Sequence, residues 1–100
     1  MNVTVIDSPD RHRFEAWSDG KLAGFANYQR GDDLIVFTHT EVDPAFEGLG
    51  VGSALAGAAL DDARTHGTAV RAVCPFIAGW LARHPAYQDL TQAAQRREGG

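Results

Sequence analysis

A chain of 100 residues has room for one domain with one core, since chains of this size bury around two thirds of the surface their unfolded form exposes. Hydrophobic residues make up 44% and charged residues 22%, ordinary globular values that exclude a disordered or fibrous protein. The formal net charge is −4 and the basic residues are scattered, with Arg96-Arg97 the sole adjacent pair, so no cationic stripe can track phosphates and no nucleic-acid partner is expected.

Met1 to Asp10 carries Asp7 and Asp10 and no apolar leader run, and no apolar stretch approaches the roughly 20 residues of a membrane span. A cytoplasmic protein without a membrane partner is expected. The single cysteine, Cys74, makes neither an intramolecular disulfide nor a multi-cysteine metal site, so no metal is expected and stability has to come from packing.

In chain order, Val3 to Asp7 alternates as a strand and a Ser-Pro-Asp turn follows. Arg13 to Ser18 then forms the second arm of a hairpin, with Phe14, Ala16 and Ser18 on one face and Trp17 on the other. Asp19-Gly20 is a tight-turn dipeptide before Leu22 to Tyr28, and Gly31-Asp32-Asp33 is a second turn before the strand that begins at Leu34 and ends at Val42. These strands predict a four-stranded antiparallel meander. Val51, Leu55, Ala58, Ala59 and Ala63 recur at helical spacing, which predicts a long helix stopped by His66-Gly67. Ala69 to Val73 is a fifth strand, and Pro75 opens a second helix in which Phe76, Ile77, Trp80 and Leu81 share a face before Pro85 ends it. The fold class is therefore α/β (α+β), in the order four strands, helix, strand, helix. Residues 1–94 form a single domain in this reading, and Gln95 to Gly100 has the polar, glycine-ended look of a flexible tail.

The informative junction lies between Thr38 and Ser53, where a strand ends, an Asp43-Pro44 turn follows, and three alternating glycines open the long helix. The first N–H groups of a helix lack internal partners and sit at the positive end of its dipole, so strand, glycine loop and helix together make an anion-binding layout. No Lys-Ser/Thr follows the loop as a P-loop requires, and Ser53 stands where the dinucleotide motif needs glycine. Both of those nucleotide fingerprints are excluded.

The segment Glu47-Gly48-Leu49-Gly50-Val51-Gly52 resembles the pyrophosphate loop of the GNAT superfamily of N-acetyltransferases, Gln/Arg-x-x-Gly-x-Gly/Ala, with Gly50 and Gly52 on the glycine positions. The first position departs from the pattern: Glu47 stands where Gln or Arg is usual and sets a carboxylate near a bound pyrophosphate. Two further segments resemble the short stand-alone branch of that superfamily. His39-Thr40-Glu41-Val42 precedes the loop, and Cys74-Pro75-Phe76 leads to Arg83-His84-Pro85-Ala86-Tyr87. The resemblance spans about residues 3 to 90. It implies a minimal acyl-CoA N-acyltransferase fold in which the fourth and fifth strands splay apart and pantetheine enters the gap, its amides pairing with strand backbone near Val42. It also implies acetyl-CoA or coenzyme A as the bound co-substrate, held by Val42, Glu47, Gly48, Leu49, Gly50, Val51, Gly52 and Ser53.

Acetyl transfer to an amine needs a base for the nucleophile, a donor that polarises the thioester carbonyl, and an acid for the leaving thiolate. Glu41 resembles in placement the general-base glutamate of some superfamily members, against the bland reading of a solvated strand-end carboxylate. His39 shares a sheet face with Glu41 by the period of two and forms a candidate acid/base pair with it, against a structural hydrogen-bonding role. Cys74 falls at the start of the second helix, a position that favours thiolate and would be reinforced by a nearby protonated His39, so transfer runs either by direct attack of the amine or through an acetyl-Cys74 intermediate, against the bland reading of a small buried hydrophobe. Arg83, His84 and Tyr87 are read as capping and packing the last helix, and Trp80 as core, at a position that the resemblance sets near the cofactor. The acceptor is a primary amine of unspecified identity: a small amine, a polyamine or a protein lysine. The other functional class is a non-catalytic coenzyme A or acyl-CoA-binding module acting as carrier, sensor or partner-docking domain. A monomer or weak dimer is expected.

Overall fold

Asp19 and Gly20 both hold positive φ, 50° and 75°, the backbone twist that closes two antiparallel strands over a tight turn. They join β2 (Arg13–Ser18) to β3 (Lys21–Arg30), and with β1 (Thr4–Ser8) and β4 (Leu34–Val42) these strands form the expected antiparallel meander. The computed structural model describes residues 2–99. After α1 (Val51–Thr65), β5 (Ala69–Ala72) returns beside β4 and runs parallel to it, from Leu34↔Ala69 to Phe37↔Ala72. The sheet order is β1-β2-β3-β4-β5.

One face of the sheet is covered. Phe14, Tyr28, Ile35 and Phe37 on that face meet Val51, Leu55 and Leu60 of α1 and Ile77, Trp80 and Leu81 of α2 (Pro75–Arg83) in one cluster. Ala56, Ala59 and Ala63, all buried, keep α1 thin where it lies on the strands. The opposite face carries the alternate residues, among them the cross-strand row Ile6, Glu15, Phe25 and Glu41. Glu15 is buried there among polar partners. Burial opposes its charge, but hydrogen bonds from Arg13 at 2.8 Å and Trp17 at 3.2 Å outweigh that and hold its pKa below the ordinary value.

A bulge in the β3–β4 pairing aims the residues of interest. Asn27 pairs with His39 and Tyr28 with Phe37, so Thr38 is one extra residue on β4. Side chains alternate along a strand, and the inserted residue shifts that alternation. Beyond it, His39 and Glu41 fall on the open face, while Thr40 and Val42 stay on the helix face opposite Ala26 and Gly24.

The C-terminal end differs from the sequence reading. Pro85–Tyr87 makes a 3₁₀ turn and α3 follows at Gln88–Gly99, so the stretch read as a tail from Gln95 is helical up to Gly99, and Gly100 lies outside the described residues. Leu90 and Ala94, at spacing i, i+4, are its buried stripe. Two apolar anchors in a polar run leave too weak a periodic signal for a sequence reading. Among the described residues no helix is long and apolar enough to cross a membrane.

Candidate active site

β5 is only four residues long, and its end opens the sheet. The N–H groups of Val73 and Cys74 both donate to the Phe37 carbonyl at 3.0 Å, after which the chain turns away into α2. β4 continues through Val42 with β3 as its partner and no described strand on its other side. This is the expected splay between the fourth and fifth strands.

The loop after β4 leads to a bare helix start. Asp43 accepts a hydrogen bond from the Ala45 N–H at 2.8 Å and fixes the Pro44–Phe46 turn. Gly50 is the N-cap of α1 at φ 83°, without a capping side chain, and the first turn holds no acidic residue. The first helical bond runs from the Ala54 N–H to the Gly50 carbonyl at 3.0 Å, so the N–H groups of Val51, Gly52 and Ser53 have no acceptor within the helix. These three residues line a groove of about 420 Å³ between α1 and α2. Of the residues that the sequence assigns to the cofactor, Val42, Glu47, Gly48, Gly50, Val51, Gly52 and Ser53 line this groove, whereas Leu49 does not and is 55% exposed.

The far wall comes from α2. Trp80 donates from its indole N–H to the Ser53 hydroxyl at 3.0 Å and so ties the two helix faces together. His84 stacks on Trp80 with ring centroids 3.7 Å apart and bonds the Trp80 carbonyl through Nδ1, while Tyr87 meets the indole edge-on. His84 and Tyr87 thus have the capping and packing roles read from the sequence. Phe76 lies directly over Gly52, where an added Cβ would fall 2.6 Å from the ring tip.

On the open face, His39 Nε2 and Glu41 Oε2 are 3.8 Å apart, and both side chains are well exposed. Phe25, under the guanidinium of Arg13, lies beside His39 with ring centroids 6.4 Å apart. Glu41 also borders a smaller cleft of about 230 Å³, together with Phe25, Leu22 and Asp43. Cys74 lies apart from this pair. It precedes α2 as expected, but it is 3% exposed and its thiol donates to the Thr40 hydroxyl at 3.2 Å. Thr40 faces the helices and its neighbours His39 and Glu41 face away, so the expected support of a Cys74 thiolate by His39 does not arise: strand alternation sends them to opposite faces of β4.

Residues 13–90 match the family model for the GCN5-related N-acetyl-transferases. The chain belongs to this family. GCN5-related N-acetyltransferases generally use acetyl-CoA as co-substrate. Among solved structures, a GCN5-like protein from Staphylococcus aureus, determined by NMR in solution, superposes with a TM-score of 0.68 at 25% identity, covering 89% of this chain and 87% of that one. Ard1 from Thermoplasma volcanium gives a TM-score of 0.54 at 27% identity over 61% of this chain and 43% of its own. No protein of curated function matches.

Five groove residues lie outside the sequence assignment to the cofactor: Phe46, Phe76, Trp80, Arg83 and His84. Phe76, Trp80 and Arg83, spaced i, i+4 and i+7, mark one helical stripe of α2, a signal present in the sequence but read there as core and capping, with Trp80 alone placed near the cofactor by the resemblance.

Proposed function

We propose that the chain transfers acetyl from acetyl-CoA to an amine by direct attack at the gap between β4 and β5. The observation that carries this reading is the coincidence of the splayed β4 edge with the bare N-terminus of α1, both opening on Val42. In this reading the N–H groups of Gly50, Val51, Gly52 and Ser53 bond the pyrophosphate, where the helix dipole also favours negative charge. Pantetheine lies along β4 toward Thr38, which brings the thioester through the gap to the open face.

There the amine nitrogen attacks the thioester carbonyl carbon and the C–S bond breaks. Glu41, alone or through His39, accepts the proton that the amine loses, and the departing thiolate takes a proton from water. Carboxylates of Glu41 and Asp43 beside the small cleft suit an acceptor that arrives as an ammonium ion and gives its extra proton to water before it attacks. The burial of Cys74 against Thr40 supports direct transfer over an acetyl-cysteine intermediate.

Incubation with acetyl-CoA and a panel of small amines, polyamines and lysine peptides, read by mass spectrometry of the acceptors, tests the proposal. At least one acceptor gains an acetyl group, and Glu41→Gln slows its formation by about 10²-fold or more, the usual worth of a general base. Tight acetyl-CoA binding without acetylation of any amine would instead identify a binding module.

A further inference from the structure

Every side chain that the loop itself offers to the groove is either uncharged or the carboxylate of Glu47. The groove nevertheless contains one guanidinium. Arg83, in the last turn of α2, lines the same groove as the α1 N-terminus.

Two features of Arg83 set it apart. Its side chain folds back along α2 over Gly79, with Nη1 only 3.5 Å from where a Cβ on that glycine would lie. Arg11, Arg13, Arg30 and Arg64 each hold a carboxylate, whereas Arg83 has no ion-pair partner among the described residues, although Glu47 borders the same groove. An unpaired guanidinium and the positive end of α1 thus share one cavity. Like potentials of this kind repel unless an anion lies between them.

We infer that Arg83 contacts a phosphate of coenzyme A from the α2 wall and supplies the positive charge that the side chains of the loop lack. The inference rests on the acetyl-CoA reading above and adds a specific residue to it. A guanidinium meets phosphate with parallel N–H donors, and an ammonium at the same place keeps the charge but not the fork.

Calorimetric titration of coenzyme A at several salt concentrations tests this with the parent, Arg83→Ala, Arg83→Lys, and Arg83→Ala combined with Glu47→Arg. Arg83→Ala weakens binding by about tenfold or more and flattens its salt dependence, as expected for loss of a charge-assisted contact. Arg83→Lys recovers a large part of the affinity, and Glu47→Arg restores it from the other wall. Arg83 is exposed and unpaired, so without ligand Arg83→Ala loses only the share of a last-turn helix cation and unfolds within a few degrees of the parent, while Arg83→Lys unfolds with the parent. Parent affinity and parent salt dependence in Arg83→Ala would overturn the inference while leaving the acetyl-CoA site intact. A loss that neither Lys nor Glu47→Arg relieves, with unchanged salt dependence, would also overturn it. A parent protein that does not bind coenzyme A would overturn this inference and the acetyl-CoA reading together.

Discussion

The two loop glycines, Gly50 and Gly52, are required for different reasons, and substituting each by alanine separates them. Gly50 has φ 83° with nothing within 4 Å of an added Cβ, so Gly50→Ala meets backbone strain alone. Holding an L-residue in that region costs roughly 1–2 kcal/mol. For a domain of about this size each kcal/mol lowers the melting temperature by about 4–8 °C, so a fall of roughly 4–16 °C is expected. Gly52 has ordinary helical geometry, and its Cβ would lie 2.6 Å from the tip of the Phe76 ring, a side chain 39% exposed and free to swing. The gain of about 1 kcal/mol in helix propensity from glycine to alanine offsets that displacement, so Gly52→Ala unfolds close to the parent temperature. A displaced Phe76 narrows the groove, however, and coenzyme A raises the melting temperature of this variant less than that of the parent, by mass action. Thermal unfolding with and without millimolar coenzyme A reads both effects. A large loss of stability in Gly52→Ala would mean that this glycine serves packing alone, and a parent-like ligand shift in both variants would refute the assignment of the loop.

Cys74 labels slowly with a thiol reagent in the native protein and rapidly once unfolded, and Cys74→Ala keeps any acetyl transfer; fast native labelling with loss of transfer would restore the acetyl-cysteine route. Trp80→Phe removes the indole bond to Ser53 and lowers stability by about 1 kcal/mol in denaturant titration, with weaker coenzyme A binding; parent values for both would show that this bond does not tie the helices. Glu15 has a folded pKa below its ordinary 4.5, so its contribution is fully present above the unfolded value and is lost as pH falls through the folded one. Glu15→Gln therefore lowers stability at neutral pH by about 2 kcal/mol and flattens the acid limb of the stability curve below about pH 5, and an unchanged acid limb would show that the Arg13–Glu15–Trp17 network carries no net charge stabilisation.

Local chemistry made most of the fold legible. Asp19-Gly20 fixes its hairpin within two residues, the alanine stripe of α1 repeats at a single period, and the alternating glycines announce a helix start open to an anion. What escaped depends on contacts between distant segments. The extra residue at Thr38 exists only relative to β3, yet it decides that His39 and Glu41 face away from the helices. The burial of Cys74 against Thr40 joins residues 34 positions apart. Arg83 looks like a C-terminal helix cation until α2 is laid against the start of α1, and α3 has only Leu90 and Ala94 to signal a buried face.

Amide NMR of the labelled protein titrated with acetyl-CoA reads the backbone groups that would hold the pyrophosphate and the pantetheine. Saturable shifts are predicted for Gly48, Gly50, Val51, Gly52 and Ser53 and along the unpaired edge of β4 from Thr38 to Val42. Absence of shifts at millimolar acetyl-CoA, or shifts confined to the separate cleft bordered by Arg64, Asp89 and Arg96, would contradict that placement of acetyl-CoA.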